Sequence, residues 1–243
     1  MRFFLLILSC CLVLAAPAQE VRKQGTRTFD ETTIVRDSTG FVYPYPVWRA
    51  LMSRGYVLRA VNPKDSASEM VLVKLNESQR DEMVARMPPP RESTSFRTGE
   101  AFGSFKIVDV KGGRINLKEA KGKIVVINFW FVNCQPCRME MPELNALVDS
   151  FKTNDKVIFI AIALDKVEQV LEFLKTNPFN YRIVDNGRYL ADRYNVKSYP
   201  THVVIDAEGK VAFHSTGYGP QTAWWLRKVI NTQLERLQAT ASN

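Results

Sequence analysis

The sequence predicts an α/β protein with a mixed central sheet flanked by helices. Three observations carry that reading. Two near-continuous apolar runs, residues 124–130 and 157–164, are what strands buried on both faces require. Segments with helical spacing alternate with strand candidates along the C-terminal half. Two glycine-bearing turns, at Lys111–Gly112–Gly113 and Glu208–Gly209, predict hairpins and so antiparallel neighbours.

Taken in order, the chain opens with Met1–Arg2, an apolar run from Phe3 to Ala16, then Pro17–Ala18. This is the pattern of a secretory signal, residues 1–18, with the cut after Ala18 because Ala16 and Ala18 are both small. The run is shorter than the roughly 20 apolar residues of a membrane helix. The alternatives are an uncleaved anchor, and a lipidated Cys10 or Cys11, which Leu8 and Ser9 fit poorly. Residues 19–40 read as a polar lead-in without sustained period. Residues 41–87 read as a small appended unit rich in aromatics, whose role the sequence does not assign. In it Pro44 and Pro46 argue against a central strand, residues 47–52 open a short helix, and residues 70–75 form a strand. Ser78 is a candidate cap for a helix running to residue 87. Pro88–Pro89–Pro90 then stops any helix and stiffens a linker over residues 88–98.

Residues 99–238 form the main domain. A hairpin joins residues 105–110 to 114–117, and the buried strand 124–130 leads into a helix over 134–152. The second buried strand, 157–164, precedes a helix over 167–176, in which Val170, Leu171 and Leu174 share a face. A short strand at 181–184 and a short helix at 189–194 follow. Strands 201–205 and 211–215 make the second hairpin, and a helix over 221–237 closes the domain. No internal repeat is present.

Charge narrows the function. The full chain carries +8, one less without Arg2, and its Lys and Arg are interspersed with Asp and Glu. That is a solvated surface without the basic cluster that a nucleic-acid site requires. Cysteine usage narrows it further. Of four cysteines, Cys10 and Cys11 lie in the candidate signal, which leaves Cys134 and Cys137. A single pair two residues apart closes almost no loop and adds little chain-entropy stability, so its use is chemical. The roughly 225 remaining residues can build a core without such staples.

The pair sits where a buried strand gives way to a helix. Two intervening residues let both sulfurs meet across the first helical turn. That turn offers unpaired N–H groups and the positive end of the helix dipole, which favour a thiolate at Cys134. The dipole contributes about 0.3–1 kcal/mol at an exposed site, less than about one pKa unit. The thiolate is the attacking species in disulfide exchange, and Cys137, deeper in the turn, is placed to resolve the mixed disulfide. Pro136 lacks an N–H where none would be paired. The pair alone is also compatible with metal. A structural zinc requires four ligands, and only His202 and His214 remain to help. Two sulfurs with a distant histidine suit Cu(I) better. Both histidines are expected to be ordinary strand residues, and no metal site is assigned.

Over residues 99–238 the chain resembles the thioredoxin superfamily, and within it the TlpA/ResA-like branch of extracytoplasmic thiol–disulfide oxidoreductases. The resemblance rests on Asn128–Phe129–Trp130, then Cys134–Gln135–Pro136–Cys137–Arg138–Met139–Glu140–Met141–Pro142, then Tyr199–Pro200–Thr201 and Gly209–Lys210–Val211. It implies a thioredoxin fold with a small N-terminal extension, and Cys134 and Cys137 as the redox pair. Pro200 becomes a cis-proline facing the disulfide, and Tyr199–Pro200–Thr201 a groove whose backbone pairs with an incoming peptide strand. Glu140 becomes an acid near the buried thiol that holds or delivers a proton, against the plainer role of an exposed first-turn carboxylate. Asn128, Trp130 and Pro136 support the site. Asn128 stands where cytoplasmic thioredoxins carry a buried Asp and cannot itself take a proton. Asn133 replaces the Trp common before the first cysteine, which makes that surface more polar.

The implied function is dithiol exchange with protein disulfides, most typically their reduction, for instance in cytochrome c maturation or redox homeostasis. No cofactor is needed beyond the Cys134–Cys137 disulfide. The partners are secreted protein disulfides and, for a reductant in an oxidising periplasm, a membrane electron donor. Two other readings use the same cysteines: a copper-binding chaperone or metal-holding module, and a peroxiredoxin-like peroxidase, which the adjacent resolving cysteine argues against. N-terminal sequencing of the processed protein is expected to begin at Gln19. Retention of Met1 would point to a membrane-anchored form.

Overall fold

The computed structural model describes residues 28–241 apart from 53, 54 and 66. The candidate signal at 1–18, with Cys10 and Cys11, and residues 19–27 of the lead-in lie outside the described residues. The first unit comprises β1 (Val35–Arg36), α1 (Tyr45–Met52), β2 (Tyr56–Ala60), β3 (Met70–Lys74) and α2 (Glu77–Ala85). Its strands form a small sheet in the order β1-β3-β2 around Val35, Trp48, Met70 and Leu72.

Three details differ from expectation. β1 lies inside the stretch read as a lead-in, because Val35 is buried against β3 rather than solvated. β2 carried no clear period-two signal, and its pairing with β3 makes it a strand. The cap of α2 is Asn76 rather than Ser78: its side chain accepts from the Gln79 amide while Gln79 accepts from the Asn76 amide, a reciprocal capping box.

The main domain continues with β4 (Lys106–Val108), β5 (Arg114–Asn116), a 3₁₀ turn (Leu117–Ala120), β6 (Ile124–Trp130), α3 (Gln135–Ser150), β7 (Val157–Ala163), α4 (Val167–Leu174), β8 (Arg182–Val184), α5 (Arg188–Arg193), β9 (Thr201–Ile205), β10 (Val211–Thr216) and α6 (Thr222–Ala241). A five-stranded sheet runs in the order β10-β9-β6-β7-β8. The β6–β7 and β7–β8 pairs are parallel and β9 is antiparallel to both its neighbours. Parallel neighbours require crossovers, which α3 and α4 supply.

β6 is central and buried along its whole length. Alternation along it sends Ile124, Val126 and Trp130 to the face packed by α3, α4 and α6. Val125, Ile127 and Phe129 go to the other face, against α5 and the residues around the β4–β5 hairpin. That hairpin is pinned by Asp109, which accepts from the Lys111 and Gly113 amides and from the Arg182 guanidinium at 2.8–3.0 Å. Gly187 precedes α5 as its N-cap, and an added Cβ there would lie 2.2 Å from the Ile162 side chain, so the close approach admits only glycine.

The stretch read as a linker becomes a strap along β10. The Thr216 amide donates to the Arg91 carbonyl (2.8 Å), Gly99 to Val211 (2.8 Å) and Val211 back to Glu100 (2.9 Å). Between these points the Ser93 amide donates to Nδ1 of buried His214 (3.1 Å). The strap covers the open edge of the sheet, which would otherwise invite pairing with another chain.

His214 ties the strap to acidity. Burial lowers its imidazole from the ordinary 6.5, against a weaker upward pull from the Glu92 charge. The folded state therefore binds fewer protons than the unfolded one, and this group's contribution is complete above 6.5 and lost as pH falls through the lowered folded value. We expect the urea midpoint to fall with acidification below that pH, and to fall less in His214→Gln, which keeps an acceptor without a titrating ring. Parallel pH slopes in the two proteins would dismiss this coupling.

Candidate active site

The site is built where β6 ends and α3 begins. The Phe131–Asn133 turn is held by Asp165, which accepts the Val132 amide at 2.7 Å. Cys134 is the N-cap of α3, and its sulfur accepts the Cys137 amide at 3.2 Å. Pro136 occupies the second helical position, where its missing N–H leaves no helical bond unmade. Cys134 and Cys137 are joined in a disulfide with their Cα atoms 5.3 Å apart. In this oxidised form they are 2% and 1% exposed, so exposure does not separate attacker from resolver. The N-cap position, with its sulfur aimed at helix amides, is what distinguishes Cys134.

The Tyr199–Pro200 bond is cis and Pro200 is buried. The Tyr199 ring meets Phe131 edge-on at 5.5 Å, which brings this loop against the turn that carries the cysteines. The Pro200 carbonyl accepts from the Gly217 amide (2.8 Å) and the Thr216 hydroxyl (3.3 Å). The Thr201 hydroxyl bonds the Ser198 carbonyl (2.7 Å) and lies 3.0 Å from the Thr216 hydroxyl. Among the described residues, neither the amide nor the carbonyl of Tyr199 has a backbone partner.

Glu140 is 2% exposed and points into the core. The same helix that holds the cysteines carries it inward, one turn beyond Cys137. Such a burial requires donors. Asn128 Nδ2 lies 3.2 Å from Glu140 Oε1, and His202 Nε2 lies 3.1 Å from each carboxylate oxygen. Asn128 Nδ2 also lies 3.3 Å from His202 Nδ1. Asn128 and His202 are register partners across β6 and β9, and their parity sends both toward α3.

The structure therefore brings Cys134, Cys137, Glu140, Asn128 and the Pro200 loop to one end of the sheet. Trp130 sits deeper, packed on Phe173 and Phe179 at 5.5 and 5.7 Å. His202 was expected to be an ordinary strand residue, and the structure corrects that: it contacts the buried carboxyl directly. Its sequence signal was a histidine two residues beyond Pro200, in a strand beside one interrupted by Asn128. Among the described residues no group of three or more His, Cys, Asp or Glu is arranged to hold a metal ion.

The AhpC/TSA family model matches residues 98–214. The thiol–disulfide oxidoreductase ResA of Bacillus cereus is 34% identical over 122 residues, spanning 49% of this chain and 70% of that protein. This chain belongs to the ResA-like branch of the thioredoxin superfamily. The ResA of Bacillus subtilis is also 34% identical, over 51% of this chain and 69% of its own length. Among solved structures, a thiol:disulfide interchange protein DsbE from Chlorobium tepidum, itself described as putative, superposes with a TM-score of 0.53 at 27% identity, covering 57% of this chain and 99% of that one. A protein from Bacteroides thetaiotaomicron, described as a putative disulfide isomerase, gives 0.54 at 27% identity over 60% and 94%. The main domain is thus a thioredoxin fold, and about half of this ResA-like chain lies outside the match.

The polar trio sets a testable stability term. Asn128→Leu removes the amide donors that face Glu140 and His202, leaving two buried polar groups short of a partner. The expected loss is about 1–3 kcal/mol, read by denaturant unfolding of the oxidised protein. Wild-type stability would show that the amide contributes nothing to holding the carboxyl.

Proposed function

We propose that this thiol–disulfide oxidoreductase works as a reductant of disulfides in extracytoplasmic proteins. The carrying observation is the Cys134–Cys137 disulfide at the head of α3 with a carboxyl group buried one turn beyond it. Reduced Cys134 attacks a substrate disulfide as the thiolate, giving a mixed disulfide and releasing one substrate thiol. Cys137 then attacks Cys134, the original disulfide re-forms, and the second substrate thiol departs. Two electrons pass to the substrate and the couple needs no cofactor. Glu140 is the base that takes the Cys137 proton. Tyr199, Pro200 and Thr201 border the groove, where the unpartnered Tyr199 backbone is available to an extended substrate segment.

The processed chain belongs, in this reading, to an oxidising compartment such as a periplasm. Among the described residues no helix is long and apolar enough to cross a membrane. A reductant there is itself oxidised at each turnover, so a membrane electron donor completes the cycle. Protein disulfides such as those of apocytochromes awaiting haem are one substrate class.

Two measurements test this. Cys137→Ala is expected to accumulate mixed disulfides with secreted proteins, and Cys134→Ala few or none. The reverse pattern would exchange the roles. The potential of the Cys134–Cys137 couple is expected below about −200 mV, in the reductant range, whereas a value near −120 mV would mark a strong oxidant.

A further inference from the structure

Glu140 lies among groups from every element packed around it. His202 comes from β9 and Asn128 from β6. Tyr181, just before β8, Tyr218, just after β10, and Glu143 on α3 all feel its charge. Burial, then the Glu140 charge, push the Tyr181 phenol up, and its buried hydroxyl has no hydrogen-bond partner among the described residues. Of these groups, only Asn128 and His202 touch the carboxyl through polar atoms that the structure records.

Their donor and acceptor roles follow from the geometry. An amide nitrogen only donates, so Asn128 Nδ2 gives one proton to Glu140 Oε1 and the other to His202 Nδ1. Nδ1 is then an acceptor and carries no proton. The imidazole proton sits on Nε2, 3.1 Å from the carboxylate. Asn128 Nδ2 also lies 3.5 Å from Nε2, and the assignment rests on the shorter of its two approaches to the ring, 3.3 Å to Nδ1, and on the 3.1 Å contact of Nε2 with the carboxylate. Turning the Asn128 amide over would set its oxygen against a Glu140 carboxyl oxygen.

We propose that His202 is a positioning residue for this reaction: with its tautomer set by Asn128, its Nε2–H aims the Glu140 carboxylate so that it accepts the proton of Cys137. This rests on the assignment of Glu140 as the base. In the step concerned, the Cys137 S–H proton passes to the Glu140 carboxylate. The Cys137 thiolate attacks Cys134, the Cys134–substrate S–S bond breaks, and the Cys134–Cys137 bond forms. The leaving substrate thiolate takes its proton from water, and Glu140 returns its own to solvent.

The test is the pH–rate profile of mixed-disulfide resolution, measured by stopped flow on the full processed chain with oxidised glutathione as probe. Glu140→Gln is expected to slow resolution on the order of 10²-fold, and His202→Leu about tenfold with the profile displaced to higher pH. His202→Gln, which keeps an N–H donor, is expected to recover most of the rate. In the Glu140→Gln background, His202→Leu is expected to add nothing further.

A wild-type profile in His202→Leu, with Glu140→Gln still impaired, would overturn the role of His202 and leave that of Glu140. An unimpaired Glu140→Gln would overturn both. Should His202→Leu not fold, ¹⁵N chemical shifts of the wild-type imidazole at mildly alkaline pH decide the tautomer. A proton on Nε2 is expected, and one on Nδ1 would overturn the arrangement.

Discussion

A carboxyl group carried into the core by the first turns of α3 is the constraint around which this site is arranged. Burying it unpaired would cost several kcal/mol. The cost is met by an amide and an imidazole on neighbouring strands, at 3.1–3.2 Å. Those two side chains face the carboxyl only because β6 and β9 pair with Asn128 opposite His202. A slip of β9 by one residue would turn His202 to the other face. The same register places Thr201 beside Phe129, and so sets the Pro200 loop at the level of the cysteines. One strand pairing thus positions the buried carboxyl, its partners and the Pro200 loop.

The first unit meets this site from outside the sheet. A cleft of about 460 Å³ separates β2 and α2 from the early turns of α3 and the start of α6, and Arg138, Met139 and Pro142 line it directly beyond Cys137. Arg80 of α2 reaches Glu143 of α3 at 3.8 Å, and Glu77 of α2 reaches Arg227 of α6 at 3.7 Å. Such long, partly exposed pairs contribute little. Burial raises the Glu143 carboxyl, the Arg80 charge opposes it, and Glu140 adds to the rise. The charge of buried Glu140 is therefore felt at the surface that the appended unit overhangs. The family match begins only at residue 98, so the α2 side of this cleft lies outside the match and the α3 side within it.

Much of the fold was legible in the sequence. The bounds of β6 follow from seven buried positions between turn signals, and the β4–β5 and β9–β10 hairpins from their glycine turns. The redox pair was legible because the cysteines stand at a strand-to-helix junction. Legibility failed where partners are distant. β1 is only two residues long and exists because β3 pairs with it. The strap at 91–101 has a linker's composition, and its order comes from the backbone of β10. Ser78 has the chemistry of a cap, but the reciprocal bonds of Asn76 and Gln79 settle the start of α2 two residues earlier.

By itself the sequence determined the periodicities, the turn residues and the chemistry of one thiol pair. All of these depend on residues within a turn or two of one another, and local sterics and hydrophobic spacing suffice to specify them. The tertiary structure decided that a histidine expected to be an ordinary strand residue touches a buried carboxyl, and that an asparagine unable to carry a proton lies against both. The physical reason is that strand register is a non-local property. It is set by which apolar faces pack against α3, α4 and α6, and only that packing brings residues 128, 140 and 202 within hydrogen-bond distance.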